Sequence, residues 1–341
     1  MRRLLSLTAA AALSATALSL PAHADAVSDF YDGNTIRFHI GAAPGGGYDL
    51  YSRTLVQHIA PKLPGKPTVV VVNMPGSGGI KASNYVYNAA PKGGTSLLMP
   101  FWTHPLFQLI RPRGIKFDMS KMGWVGNMAE LNSAVTALTK VASSWKDATK
   151  KEVIVAASGK GSETYIYPTL MNSLLGTKFK LVLGYRGTRN MTLAMEKGEA
   201  QARGGSWQSW NTIRPEWIAD KTITVLAQAG LKRIEALKDV PLIHELVKPE
   251  DVEVAKLISA PVTMARMIGF PPGVSKAQLA AFRKAFDATM KDPKFLADAK
   301  KRKMDLAPLS GAQVQANIEE LMKTPKAILK RAAVVLRYTK K

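Results

Sequence analysis

The segment IGAAPGGGYDLYSRTL, residues 40–55, joins a strand-like pattern, a glycine turn and a helix-like pattern. Residues 36–42 read as a β-strand, Pro44 and three glycines interrupt them, and apolar residues recur at helical spacing over 49–59. In open α/β sheets this order places the free N–H groups of a helix beyond the carboxyl end of a strand, where anions bind. For this loop alone, a plain tight turn is an equal alternative.

The same order recurs along the chain. The apolar run PTVVVVN at 67–73 leads into PGSGG, a predicted helix at 80–89 and a strand at 95–99. Further strands are predicted at 152–157, 180–183 and 222–227, and SGKGS and GYRGT follow the first two. We interpret GGSWQSW at 204–210 as another glycine loop. This alternation predicts an α/β fold with mainly parallel strands flanked by helices.

Helices are predicted at 189–197 and dominate the last third of the chain, at 275–290, 292–303 and 312–335. Ser275, Asp292 and Ser310 stand where N-cap residues are expected. Two α/β halves without a low-complexity linker suggest two lobes joined by chain crossings, with a ligand cleft between them.

The first 24 residues predict export. Arg2 and Arg3 precede an apolar run over 4–20, and Pro21-Ala22-His23-Ala24 ends in a small-residue cleavage pattern, so we expect a signal peptide cut after Ala24. A membrane anchor is the weaker alternative because the run is short and no charge cluster follows it. No later run reaches about 18 apolar residues.

The composition favours an anionic ligand. The net charge is +22, and removal of Arg2 and Arg3 with the leader leaves +20. The basic residues are scattered, so nucleic acid is not expected, but their field would attract anions. There is no cysteine, which excludes disulfides, thiolate metal sites and cysteine nucleophiles.

The sequence does not match the standard catalytic and nucleotide-binding motifs. Neither PGGGYD nor SGKGSE is a P-loop, and Lys81 occupies the third glycine position of G-x-G-x-x-G. Ser77 directly follows Gly76, so the G-x-S-x-G spacing fails as well. The histidines after the leader have no partner at metal-ligand spacing: His39, His58, His104 and His244. We therefore expect no cofactor, no metal and no catalytic residue, and thus not an enzyme.

The glycine loops supply N–H groups and hydroxyls that could converge on one cleft. Asp49 is expected to cap the helix after the first loop, and Tyr48 is placed where a ligand ring could rest. The predicted ligand-binding residues are Gly46, Gly47, Tyr48, Asp49, Gly76, Ser77, Gly78, Trp102, Thr103, Ser158, Gly159, Ser162, Tyr185, Ser206 and Trp207.

The ordered set PGGGYD, PGSGG, APKGGTSLL, ASGKGS, YRGT and PPGVSKAQL resembles the Bug-type (TctC-like) periplasmic receptors of tripartite tricarboxylate transporters, over about residues 30–321. The resemblance implies a periplasmic binding protein type II-like, Venus flytrap fold. Lobe 1 would comprise residues 25–125 and 229–341, and lobe 2 residues 126–228. The loops would hold a carboxylate, with Gly46, Gly47 and Asp49 from the first, Gly76, Ser77 and Gly78 from the second, and Ser158, Gly159 and Ser162 from the third.

The resemblance further implies a monomeric periplasmic receptor that hands a small organic carboxylate to membrane permease subunits. Tyr48 replaces the usual Thr, and Tyr165 stands where many relatives have His, so aromatic acids and aliphatic dicarboxylates both stay open as ligands. A sensor that presents a carboxylate to a membrane receptor is the alternative function. An exported α/β hydrolase is a more distant one.

Overall fold

The computed structural model describes residues 22–111 and 113–338, which form two β-sheets flanked by helices. The strands are β1 (Thr35–Ile40), β2 (Thr68–Asn73), β3 (Ser96–Met99), β4 (Gly123–Asn127), β5 (Ser133–Leu138), β6 (Val153–Ala156), β7 (Phe179–Val182), β8 (Ala202–Ser206), β9 (Ile223–Ala229), β10 (Met267–Phe270) and β11 (Leu309–Ser310).

The helices cover both sheets and fill most of the C-terminal third. They are α1 (Ala22–Tyr31), α2 (Gly47–Ile59), α3 (Ile80–Asn88), α4 (His104–Ile110), α5 (Asp147–Lys150), α6 (Glu163–Leu175), α7 (Thr188–Glu196), α8 (Gln208–Ile213), α9 (Pro215–Ala219), α10 (Ile243–Leu246), α11 (Val252–Ser259), α12 (Lys276–Met290), α13 (Pro293–Lys301), α14 (Gly311–Met322) and α15 (Lys326–Val335). Within the described ranges, no helix is long and apolar enough to cross a bilayer.

The first sheet has the strand order β11-β4-β10-β3-β1-β2. Strand β1 lies parallel to both β2 and β3, whereas β10 runs antiparallel to β3 and β4. The second sheet has the order β7-β6-β8-β5-β9, with β6 parallel to β7 and β8, and β5 antiparallel to β8 and β9. Each sheet with its covering helices is called a lobe below, lobe 1 for the first sheet and lobe 2 for the second.

The chain leaves lobe 1 after β4 and returns to it before β10. At this place the Met128 N–H donates to the Arg266 carbonyl over 3.2 Å, and the Ala265 N–H donates to the Ala129 carbonyl over 3.0 Å. The outgoing and returning segments are thus hydrogen-bonded to each other. The strands of lobe 2 lie between residues 133 and 229. We retain the lobe boundaries predicted above as a proposal.

The predicted two-lobe α/β fold with mixed, mainly parallel sheets is confirmed. The strands and helices expected in the first half appear within a few residues of their predicted positions. Ser275, Asp292 and Ser310 are N-caps whose side chains accept backbone N–H groups. Most of the predicted signal peptide, residues 1–21, lies outside the described residues.

Two predictions about single elements are wrong. The helix expected over 312–335 is two helices, α14 and α15, because Pro325 lacks an N–H group and disfavours helical backbone at the residue before it. The glycine loop expected at 204–210 begins as strand β8, which includes Gly204 and Gly205. Glycine is required at position 204 because a Cβ there would lie only 3.1 Å from the Thr164 Cα.

We predict that Ser275→Ala lowers the free energy of unfolding by about 1 kcal/mol, because the Ser275 hydroxyl oxygen accepts the Gln278 N–H at the start of α12. Ser275→Asp supplies an equivalent acceptor and is expected to stay near the wild-type value. Urea unfolding at pH 7.5 measures both. Equal losses in the two variants would contradict a capping role.

Candidate functional site

The parallel strands of lobe 1 end next to one another, and glycine-rich loops follow two of them. The loop after β1 ends at Gly46, where α2 begins, and the loop after β2 ends at Gly79, where α3 begins. The two loops pack backbone to backbone, because a Cβ at Gly41 would lie 2.5 Å from the Gly79 Cα. Gly45, Gly78 and Gly79 have positive φ angles, which glycine adopts without strain.

Asp49 holds the first loop in place but does not cap α2 as expected. Its carboxylate accepts the Gly45 N–H over 2.9 Å, the Asn73 side-chain amide over 3.0 Å and the Arg53 guanidinium over 2.9 Å. Burial opposes its ionisation, but the hydrogen bonds from Arg53, Gly45 and Asn73 outweigh burial and lower the pKa of Asp49. The N-cap of α2 is Gly46, which has no side chain to accept a hydrogen bond.

Lobe 2 contributes the loops before α6 and α7. In the first, the Ser158 hydroxyl donates to the Ser162 hydroxyl over 2.8 Å, and the Ser162 and Thr164 hydroxyl oxygens lie 2.6 Å apart. The Ser158 N–H also donates to the Thr164 hydroxyl. This hydroxyl cluster fixes the entry to α6. The second loop ends at Gly187, the N-cap of α7.

The loops of both lobes enclose one small cavity of about 30 Å³. Its walls are Ala42, Gly46, Gly47, Tyr48, Phe101, Ser158, Glu163, Thr164, Gly187, Thr188, Met191, Ser206 and Arg266. The N-termini of α2, α6 and α7 all lie at this cavity, and none of these helices has a side-chain cap. Uncapped first-turn N–H groups and the helix dipole together make each end attractive to an anion.

Arg266 lies in the same wall, immediately before β10. Its side chain is buried, and its guanidinium lies 4.3 Å from the Tyr48 ring centre, 4.8 Å from that of Tyr51 and 5.4 Å from that of Trp102. These distances are those of cation–π contacts. Arg266 Nη2 reaches the start of α2, since a Cβ at Gly47 would lie 2.8 Å from it. Arg266 Nε has no hydrogen-bond partner among the described residues.

Two further buried charges belong to lobe 2. Glu163, the first residue of α6, lines the cavity, and one of its carboxylate oxygens has no partner within the described chain. Burial raises the pKa of Glu163, although its own backbone N–H, Arg266 and Arg203 oppose the shift. Arg203 on β8 stacks on Trp210 at 3.6 Å, and burial lowers its pKa to about 9. A pKa of 9 leaves this guanidinium positively charged at neutral pH.

The lobes contact each other around the cavity, so the structure is a closed form. The Ala43 N–H donates to the Arg186 carbonyl over 2.9 Å, and the Gln208 side chain donates to the Lys303 carbonyl over 2.9 Å. Gly159 of lobe 2 meets lobe 1 backbone to backbone, since a Cβ there would lie 2.5 Å from the Gly78 nitrogen.

His104 supports this contact as a structural residue. Its Nε2 lies 2.9 Å from the Gly78 carbonyl, and its Nδ1 lies 3.0 Å from the Ser83 hydroxyl. The carbonyl can only accept, so the proton is assigned to Nε2 of a neutral ring. Burial lowers the pKa of His104 to about 4, although the Gly78 hydrogen bond opposes the shift. The histidine thus anchors the PGSGG loop.

The structure distributes the predicted site residues over three environments. The cavity wall contains Gly46, Gly47, Tyr48, Ser158 and Ser206. The supporting layer and the contact between lobes contain Asp49, Gly78, Trp102, Thr103, Gly159, Ser162 and Trp207. Away from the cavity wall are Gly76 and Ser77, which are exposed, and Tyr185, which is half-buried. All of them remain predictions as ligand contacts.

Tyr48 is not free to stack on a ligand ring as expected. Its ring stacks on Phe101 at 4.4 Å, and Arg266 covers it as well. Its hydroxyl oxygen accepts the Trp102 N–H over 3.2 Å. Tyr48 therefore serves to hold the guanidinium in position.

Sequence reasoning missed Glu163, Thr188 and Arg266. The one signal for Arg266 was a lone charge directly before the apolar run MIGF. In a chain with 47 basic residues that signal does not distinguish a buried arginine.

Two larger cavities differ in character from this one. A cavity of about 570 Å³ shares Gly45, Gly46, Asp49 and Arg53 with the first loop, and Lys301 and Lys303 give it a basic wall. A mainly apolar groove of about 730 Å³ has Leu257, Pro261, Met264, Leu309 and Leu321 in its walls. The described residues of the groove bring no buried guanidinium to it. The small cavity remains the best candidate for an anion, and the basic cavity lies at its edge.

Comparison with known proteins agrees with this architecture. No family model matches the chain. The chain is 25% identical over 336 residues to the UPF0065 protein in gbd 5'region of Cupriavidus necator, and the alignment covers 94% of each. It superposes on the periplasmic binding protein BugD with a TM-score of 0.71 at 18% identity, covering 90% of this chain and 98% of BugD. The chain has the Bug-type periplasmic binding protein fold.

Two other structures with this fold contain carboxylates. An R. palustris protein with adipate superposes with a TM-score of 0.69 at 16% identity, covering 89% of this chain and 97% of that one. MatC from Rhodopseudomonas palustris with bound malate gives 0.68 at 17% identity, covering 89% and 99%. The resemblance to Bug-type receptors in the motifs is thus confirmed at the level of the fold.

We predict that Gly159→Ala hinders closure, because its Cβ would lie 2.5 Å from the Gly78 nitrogen. Affinity for a carboxylate that binds the wild type is expected to fall at least about tenfold, which is about 1.4 kcal/mol. Gly198→Ala is the control, since its new Cβ would meet nothing within 4 Å and Gly198 is not among the residues that line the cavity. Calorimetry measures affinity, and small-angle scattering should show a larger radius of gyration for Gly159→Ala. Wild-type affinity in Gly159→Ala would contradict this role.

We also predict that His104 makes the protein less stable in acid. Its folded pKa of about 4 lies below the ordinary 6.5, so the unfolded chain binds the proton more readily and stability is lost as pH falls below 6.5. Between pH 7.5 and pH 5 this amounts to ~2 kcal/mol. Urea unfolding measures the free energy of unfolding at both pH values. Between them, this free energy should fall less in His104→Gln than in the wild type, and the difference should equal that amount. The remaining loss of stability includes a contribution from His39. Burial and the positive charge of Arg37 lower the pKa of His39 to about 4. The same pH dependence in both proteins would contradict the assignment.

Proposed function

We propose that this chain is a periplasmic solute-binding protein of the Bug family. It captures a small organic carboxylate between its lobes and delivers it to a tripartite tricarboxylate-type membrane permease. The observation that carries this proposal is the meeting of three uncapped helix N-termini, from both lobes, with the buried Arg266 at one cavity.

This arrangement fits a carboxylate for electrostatic reasons. First-turn N–H groups and a guanidinium are donors for a planar anion, and they are stronger where water is excluded. Lobe 1 supplies α2 and Arg266, and lobe 2 supplies α6 and α7. A ligand that contacts both sides stabilises the closed form, which is the form we propose the permease recognises.

Ligand entry requires the lobes to open. A cavity of about 30 Å³ holds one or two water molecules, whereas ligand sites usually measure several hundred Å³. The hydrogen-bonded segments at Met128 and Arg266 are the natural place for the bending motion. The basic cavity at Lys301 and Lys303 would raise the local concentration of anions at the cleft.

Several observations support binding without catalysis. Among the described residues that line the cavity there is no histidine, and the Ser158 hydroxyl is engaged with Ser162. The structures with adipate and malate support a carboxylate as the ligand class. Export to the periplasm rests on the predicted signal peptide and on the fold. We further propose that the receptor is monomeric and uses no cofactor.

The test is calorimetry of the purified chain with linear monocarboxylates, dicarboxylates, hydroxy acids and benzoates. We expect at least one carboxylate to bind, the corresponding neutral amide not to bind, and the ligand to be recovered unchanged. Uptake of that carboxylate by membrane vesicles containing the permease subunits should then require the receptor.

Two results would contradict the proposal. Folded protein that binds no carboxylate would exclude the receptor function, and chemical conversion of the ligand would favour an enzyme. Binding without any effect on uptake would favour the sensor alternative.

A further inference from the structure

The buried charges in and next to the closed cleft are unequal in number: Arg266 and Glu163 line the cavity, and Arg203, which is not a lining residue, interacts electrostatically with Glu163. Arg266 and Arg203 are buried guanidinium groups, and Glu163 is a buried carboxyl group beside them. Within the described chain, none of the three has an oppositely charged side-chain atom within 4.0 Å. If Glu163 is ionised, the three groups together leave one positive charge without a counter-charge.

The surrounding charged groups do not supply the missing negative charge. Asp49 is already paired with Arg53 at 2.9 Å. Arg189 approaches Gly45 but is exposed to solvent. Lys301 and Lys303 border the basic cavity and add positive charge, not negative. Asp305, whose backbone carbonyl accepts the Tyr51 hydroxyl over 2.8 Å, is exposed to solvent. Among the described residues, the buried charges that set the balance at the cleft are therefore Arg203, Arg266 and Glu163.

Most of the buried hydrogen-bonding atoms without a partner among the described residues at this place are donors. The donors are Arg266 Nε, Arg203 Nε, Arg203 Nη2 and Trp207 Nε1, against the acceptors Glu163 Oε2 and Gln208 Oε1. Arg266 is aimed into the cavity and its guanidinium is held by Tyr48 and Tyr51, so it cannot turn away without losing both cation–π contacts. Arg266 Nη1 donates to the Ala265 carbonyl over 2.7 Å, but a buried guanidinium without a counter-charge is still unfavourable, and a ligand anion beside it removes that cost.

We propose that the cleft selects a ligand with a single negative charge, a monocarboxylate, with Arg266 as its charge partner and Glu163 as the group that rejects a second carboxylate. This inference rests on the proposed function. One carboxylate neutralises the uncompensated guanidinium. A dicarboxylate would bring a second negative charge into a closed site that already contains Glu163.

A dicarboxylate could enter only together with a proton. If Glu163 takes up one proton from solvent, its charge is removed and the dianion is balanced by Arg203 and Arg266. Burial raises the pKa of Glu163 and so favours this uptake, although Arg203 and Arg266 oppose it. Monocarboxylate binding requires no proton transfer. The two ligand classes therefore differ both in affinity and in the number of protons bound.

The experiment compares matched acids of equal chain length, butanoate with butanedioate and hexanoate with hexanedioate, by calorimetry at pH 8. In the pair that binds best, the wild type is expected to prefer the monocarboxylate at least tenfold. Glu163→Gln should shift that ratio at least tenfold toward the dicarboxylate. Arg266→Gln should weaken binding of both acids at least tenfold.

The matched control is Glu152→Gln, which removes one negative charge from an exposed site in the same lobe, where Glu152 faces Lys180 at 3.4 Å. It should leave the ratio unchanged. A second measurement uses only the wild type: titration in two buffers of different ionisation enthalpy should show about one proton taken up per dicarboxylate and none per monocarboxylate. This readout holds even where Glu163→Gln fails to fold.

The outcomes separate the inference from the proposed function. A wild type that prefers the dicarboxylate, without proton uptake, overturns the inference and leaves the carboxylate receptor intact. An unchanged ratio in folded Glu163→Gln also overturns it. Folded wild type that binds neither class of acid contradicts the proposed function itself.

Discussion

The cleft depends on the burial of Arg266, which has no carboxylate within 4.0 Å among residues 22–111 and 113–338. In a site that excludes water such a charge is unfavourable, and the rings of Tyr48 and Tyr51 compensate it only in part. The backbone carbonyl of Arg266 accepts a hydrogen bond from Met128, where the chain leaves lobe 1. The residue that contributes the charge therefore also joins the two segments between the lobes. Under the proposed function, the ligand charge and lobe closure would therefore act at the same position.

Two groups of helix N-termini differ: one has side-chain caps and lies away from the cavity, and the other lacks such caps and lies at the cavity. Helices α12, α13 and α14 begin with Ser275, Asp292 and Ser310, whose side chains accept the first free N–H groups. Helices α2, α6 and α7 begin at the cavity without side-chain caps. An uncapped end costs stability in an empty site and provides donors for an anion. Asp49 stabilises the loop without capping the helix. Its carboxylate accepts the Gly45 N–H, and no side chain caps the N-terminus of α2.

Much of the fold could be predicted because its signals are local. Apolar strand runs identified the parallel strands β1, β2, β3, β6 and β7, and glycine turns follow all of these except β3. Capping residues identified the C-terminal helices. Strand β8 was missed because its glycines suggest a loop, and they are there because Gly204 packs against the α6 backbone at Thr164. Arg266 and Glu163 were missed as site residues because burial depends on distant contacts, and neither residue stands in a distinctive local pattern.

Arg266 and Glu163 face the cavity from opposite lobes, and this has a consequence for closure. Opposite charges attract more strongly where water is excluded, so closure is favoured by this pair even before a ligand arrives. Under the proposed function, a bound carboxylate would compete with Glu163 for the guanidinium and weaken that attraction. Its net contribution to closure would then come from the N–H groups of α2, α6 and α7, which belong to both lobes. In that proposal the charges determine which ligand is accepted, and the helix ends determine how firmly the lobes close on it.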